Sequence, residues 1–414
     1  MNKDLFKSIL GLGVLVFLLA GYAAIFSGCG GGGGGSSTPV VTVDANHTSF
    51  LNSFSSKVLL PALDDFVIKA NVLNEKLIAL ESEIVSNGGN GGNFLTEAQT
   101  AWQDAMLAWE SIEMMQLGPI GTSSATLGGK GLRDEIYSWP TTNPCAIDQE
   151  IVKNNFKTAN YLDSKLINVY GLDALEYLLF NESLENLCPS LVDINANGTW
   201  SALTQSEIYQ RRAGFAVVIS KKITEDAIQV LNEWESSGSN FVAKLNNAGT
   251  DKSIYSTSSK AVNAVYDALF YLDSKVKDKK IALPFALGSS ADNNLSPNSL
   301  ELSYSRLSRK SVIANLKTFR SVFQGGSSTS DYGLDDLLIA NNASNTATEI
   351  LQKLNSVITT FEGLSEFEDI ITSSDTTALT AAYNELRAVT TLLKEDLAVA
   401  LNLQIPKEGA GDND

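Results

Sequence analysis

Histidine is almost missing from this chain of 414 residues: there is one, His47, and it stands close to the N-terminus. A Ser-His-Asp hydrolase is therefore excluded unless His47 folds back onto the body of the protein. A zinc hydrolase, which holds its ion with imidazole nitrogens or thiolates, cannot assemble its usual ligand set from what remains. Cysteine is nearly as scarce, at three residues, and their spacing matches no zinc-binding pattern. Positive charge is in deficit, with 30 Lys and Arg against 47 Asp and Glu, a formal net charge of -17. Such a surface repels nucleic acid and anionic lipid, and tolerates cations or a basic partner. No GxxxxGK[ST] run is present, so Gly325-Gly326 reads as a turn or helix stop.

What the chain does have begins with an export signal. MNKDLFK supplies a lysine-bearing start, and ILGLGVLVFLLAGYAAIF a long apolar run ending at Ser27, Gly28 and Cys29. A small residue directly before a cysteine suggests a lipoprotein, with residues 1–28 removed and Cys29 lipidated. The run is also long enough to remain as an uncleaved anchor. Residues 29–45, rich in Gly and Ser, read as a flexible tether. With Cys29 assigned to the lipid, Cys145 and Cys188 are the remaining pair for a disulfide in an oxidising compartment, two buried free thiols being the alternative.

Helical periodicity dominates the rest, and strand alternation is scarce. Leu95, Ala98, Trp102, Ala105, Met106, Trp109 and Ile112 recur every three or four positions, with Glu113 at the edge of that stripe and Gly118-Pro119 ending it. Similar patterns cover about 51–86, 150–182, 205–236, 258–277, 305–324, 345–370 and 375–401, separated by polar loops. The prediction is an all-α protein of two helical bundles, 46–240 and 241–414, with a seam around 237–257. YLDSK occurs at 161–165 and 271–275, and GLDALEYLL at 171–179 is echoed by GLDDLL at 333–338, a hint of internal duplication. KDKK, 277–280, reads as a solvated helix end.

One stretch stands out chemically. GLDALEYLLF, 171–180, sets Asp173 and Glu176 among leucines. Three apart on a helix, the two carboxylates share a face, about 5–6 Å apart at Cβ. Burying either unpaired is costly. Together, and with Glu113, they could hold a hard cation or share a proton; pairing with Arg133, Arg211 or Arg212 is the structural alternative. Trp102, Trp109 and Trp139 read as core, with cleft-lining as the lesser role.

The order AWQDAMLAWESIEMMQLGP, IYSWPTTNPCAIDQEI, GLDALEYLLF, YQRRAGFA, KIALPFALG, ELSYSRLS and FQGG followed by GLDDLL resembles the imelysin-like, or peptidase M75, family over essentially all of the chain after the tether. The resemblance implies an exported, all-helical, two-domain lipoprotein linked to iron uptake, some members being described as metallopeptidases on a Gly-x-His-x-x-Glu motif. Gly171 and Glu176 match that motif, and Asp173 stands where the family has histidine. An imidazole replaced by a carboxylate favours iron, calcium, magnesium or manganese and makes zinc unlikely as a ligand. By the same resemblance Glu301 and Ser305 in ELSYSRLS join the site as ligand-binding residues. The expectation is a binding component for iron or another metal, lipid-anchored in the outer membrane of a bacterial envelope, facing periplasm or surface and working beside a TonB-linked receptor. An M75-type metallopeptidase and a non-catalytic docking lipoprotein are the alternatives.

Overall fold

The computed structural model describes residues 44–288 and 294–406; the export signal, Cys29 and nearly all of the tether lie outside them. The described residues are helical without strands. No helix among them is long and apolar enough to cross a membrane.

Two long helices, Leu60–Asn87 and Gln205–Trp234, pack along each other, and the Trp-rich helix Asn93–Glu113 packs on the first of them. The helix Gln205–Trp234 starts on a capping box, in which Thr204 and Glu207 satisfy each other's backbone N–H groups. The C-terminal part pairs Ser344–Gly363 with Thr377–Leu392, and Ser308–Phe323 packs against both Ser344–Gly363 and the Trp-rich helix. Asn93–Glu113 is thus the shared wall of the molecule, as its apolar stripe requires: Trp102, Trp109 and Ile112 are all fully buried. Its last turn delivers Glu110 and Glu113 to the interior.

One continuous apolar core runs from Phe50 to Ala398. The expected seam contributes to it directly, since Phe241, Leu245, Ala248 and Tyr255 are buried, so the stretches 46–240 and 241–414 share a core.

Two local expectations need correction. The pattern over 150–182 is not one helix: Pro144–Lys153 ends at Asn154 in the left-handed region, short 3-10 turns follow, and a new helix, Leu172–Phe180, begins after Gly171 at φ 104°. Asparagine and glycine are the residues that enter that region cheaply, which is why the chain breaks there. The KDKK segment is not a solvated helix end either. Residues Leu272–Ala282 form a π-helix that turns Lys277 and Lys280 into the core, 0% and 2% exposed, and leaves Lys275 and Lys279 outside.

The YLDSK pair takes two conformations, a 3-10 turn at Tyr161–Ser164 and the start of the π-helix after Tyr271. The GLD pair behaves alike: both helices start after the glycine, and in both the aspartate accepts from the next backbone N–H, Ala174 onto Asp173 and Asp336 onto Asp335, each at 3.0 Å.

Candidate functional site: a cleft with two buried carboxylates

Asp173 and Glu176 lie on the first turns of Leu172–Phe180, each 6% exposed, in the wall of a cleft of about 730 Å³. Neither is paired with an arginine. Asp173 Oδ2 accepts from Ser138 Oγ at 2.8 Å and from the Thr142 hydroxyl, and Oδ1 accepts the Ala174 N–H. Glu176 Oε1 accepts from Ser305 twice, from the backbone N–H at 2.9 Å and from Oγ at 2.8 Å. Its other oxygen has no hydrogen-bond partner among the described residues, while Glu176 lines the cleft. Gly171 permits this close packing. A Cβ there would lie 2.8 Å from Asp173 Oδ1 and 3.0 Å from the Ile136 carbonyl oxygen, besides being strained at positive φ.

The arginines offered by the sequence are engaged elsewhere. Arg212 donates to the Asn181 and Ser183 carbonyls, and Arg211 to those of Ile151 and Val152. Arg133 clasps Glu113, with Nη2 to Oε2 at 3.1 Å, and donates also to Asp134 and the Trp139 carbonyl. Glu113 further accepts from Tyr271 OH at 2.9 Å and Gln116. Its carboxylate is spent on these donors, so Glu113 forms a separate station beside the pair.

Glu301 lies behind the cleft wall. Fully buried, it accepts from Tyr137 OH at 2.8 Å and Ser311 Oγ at 2.7 Å and meets Lys280 Nζ at 2.9 Å. Lys280 also meets Glu110 Oε2 at 2.7 Å, Ser311 Oγ and Asn315 Oδ1. Ser305 is the buried donor that holds Glu176. His47 sits at the far N-terminal helix, its Nδ1 3.2 Å from Ser258 Oγ, and is no part of the cleft. Trp102 and Trp109 are core, whereas half-buried Trp139 lines the cleft with Tyr304. Sequence reasoning passed over Ser138, Thr142, Tyr137 and Lys280. Only Lys280 carried a signal, an apolar run, IALPF, following it directly.

Burial pushes both cleft carboxyls above their ordinary range. Glu176 rises to about 7: burial dominates, the two Ser305 hydrogen bonds pull against it, and the charges of Asp173 and Glu301 add to the rise. Asp173 is raised by burial, opposed by Thr142, Ser138, the Ala174 N–H and the charge of Arg133. A carboxyl with a raised folded value binds its proton more tightly in the folded state. The stability it contributes is present at acid pH and lost as pH climbs from about 4.5 to about 7. Glu176→Gln keeps an acceptor for Ser305 and never ionises. In chelator-treated buffer it should match the parent near pH 4 and exceed its stability at pH 8 by roughly 3 kcal/mol. Urea titrations at the two pH values check this; an equal gap at both would refute the raised value.

The donors facing the cleft from this pair are all oxygen: two carboxylates with hydroxyls behind them. Oxygen donors are the ligand type of hard cations, magnesium-type ions using one or two carboxylates with retained water; among the described residues no group of three or more His, Cys, Asp or Glu side chains is placed to hold a metal ion.

Among curated proteins nothing matches the chain. Two solved structures share its fold. One, described as an iron-regulated protein A precursor from Parabacteroides distasonis ATCC 8503, is 15% identical with a TM-score of 0.65, over 88% of this chain and 96% of that one. The other, an imelysin-like protein from Psychrobacter arcticum 273-4, is 18% identical with a TM-score of 0.62, over 89% and 100%. The family model of imelysin, peptidase M75, matches residues 59–393, a span that takes in the Trp-rich helix, both cleft carboxylates, the buried Lys280 and Ser305; the chain therefore belongs to the imelysin family.

Proposed function

We propose that the protein is an exported binding component of the bacterial envelope whose cleft takes a hard cation through Asp173 and Glu176, serving iron or metal acquisition. The observation that carries the reading is the pair of nearly buried carboxylates held by hydroxyls and, among the described residues, without a cationic partner in direct contact, one of them with an oxygen that no described residue bonds. Two carboxylates so placed repel each other and lack solvent, and a cation relieves both costs at once. The iron-regulated precursor among the structural neighbours supports the same direction.

The test is thermal. Ferric iron in soluble form, or manganese, should raise the unfolding midpoint, since a ligand selective for the native state stabilises by about 2.7 kcal/mol at a hundredfold excess over its dissociation constant. Zinc should do less. In the double variant Asp173→Asn, Glu176→Gln the metal response should vanish while the protein stays folded. A parent indifferent to every metal would overturn the proposal.

The family's peptidase name keeps a second reading in view, with Asp173 where the resemblance places a histidine. Chelator-sensitive cleavage of a peptide library by the pure protein would favour it.

Cys29 is the proposed lipid anchor, in the outer membrane, with a TonB-linked receptor as the partner that receives the cargo. Cys29→Ser should release the protein from the membrane fraction or leave the precursor uncleaved. Unchanged processing and membrane retention in that variant would rule the lipid anchor out.

A further inference from the structure

The cleft is too large for a bare ion and is lined by charges of both signs. Its volume of about 730 Å³ corresponds to some twenty or more water molecules at about 30 Å³ each, several times what a cation and its inner hydration shell occupy. Lys275 and Lys279 line it together with Asp173 and Glu176. They project from the same π-helix that buries Lys277 and Lys280, are exposed, and have no ion-pair partner among the described residues. The inward pair has its carboxylates: Asp273 and Asp278 for Lys277, Glu110 and Glu301 for Lys280. On a chain of net charge -17 an anion is repelled from most of the surface, so two ammonium groups in a cleft wall, without an ion-pair partner among the described residues, are a local exception. Trp139 and Tyr304 add aromatic surface for an organic ligand.

We infer that the cargo is a hard cation already chelated by a small polycarboxylate, the ion meeting Asp173 and Glu176 and the anionic chelator meeting Lys275 and Lys279. This rests on the cation reading above and adds the second half of the ligand. Three probes separate the possibilities: manganese alone, ferric nitrilotriacetate, which leaves coordination positions open to protein oxygens, and ferric EDTA, which wraps the ion.

Equilibrium dialysis with the folded full-length protein should show ferric nitrilotriacetate bound and ferric EDTA bound far more weakly. The variant Lys275→Ala, Lys279→Ala, with folding verified by a thermal scan, should lose roughly tenfold in affinity for ferric nitrilotriacetate, the sum of two partly screened charge contacts. Its manganese affinity should rise if it moves, because two repelling charges have gone. Equal ferric nitrilotriacetate binding by parent and lysine variant overturns the inference, and so does ferric EDTA binding as tightly as the nitrilotriacetate chelate. Manganese binding without ferric nitrilotriacetate binding overturns it while leaving the cation site standing. Failure of all three probes removes both.

Discussion

Lys280→Met is expected to lower the unfolding free energy by roughly 3–5 kcal/mol at neutral pH, the usual result of deleting one partner from a buried ionic cluster. Lys280 Nζ lies between Glu110 Oε2 and Glu301 Oε2, at 2.7 and 2.9 Å, with Ser311 and Asn315 completing its shell. The two carboxylates hold the ammonium above its ordinary value although burial works against it, and Glu110 is itself raised by burial and by the charge of Glu301. Methionine fills the volume but leaves two acids facing each other without a cation. Glu110, already raised by burial, then loses the cation that opposes the rise, so the deficit should shrink in acid and widen as pH rises. The triple variant Glu110→Gln, Lys280→Met, Glu301→Gln removes the charge altogether and should recover much of the loss. Coincident urea curves for Lys280→Met and the parent would show that the cluster contributes nothing.

The second large effect is covalent. Cys145 and Cys188 form a disulfide across a sequence separation of 43 residues. Closing a loop of that length removes unfolded-chain entropy worth about 4 kcal/mol in the chain-entropy account. Cys145→Ser, Cys188→Ser should cost about that much, and a reductant should shift the parent's urea midpoint but not the variant's. Cys145 is the second residue of the helix that follows Thr142, the donor to Asp173. On the proposed cation reading, the substitution should therefore also weaken the metal response. A variant as stable as the parent in the absence of reductant would contradict the loop argument.

The sequence made parts of this molecule plain and hid others for definite reasons. Apolar spacing located the Trp-rich helix because one face of it is core along its length. Elimination found the disulfide because only two cysteines remained. The leucines around the pair announced the burial of Glu176, since a helix of that composition has little polar face to turn outward, and Asp173 is buried with it. What periodicity hid was which distant residues touch: Glu110 is 170 residues from Lys280 and Ser138 is 35 from Asp173, while Ser305, 129 from Glu176, entered the site only through the family resemblance. Hydroxyl donors in particular carry no local signature, because serine and threonine are as ordinary in loops as at a carboxylate. The KDKK run misled for the same reason. Four charges in a row look solvated until the π-helix turns two of them inward, Lys277 against Asp273 and Asp278 of its own helix and Lys280 against the distant Glu110 and Glu301.

The cleft shares Gln116, Thr122, Tyr271 and Lys275 with a neighbouring hollow of about 940 Å³ that extends toward Asn263, Asp267 and Gln404. The four shared residues form a common border, so a substitution at Tyr271 or Lys275 alters the lining of both hollows at once. On the proposed cation reading, any ligand held by Asp173 and Glu176 would meet a border that is also the edge of a second hollow.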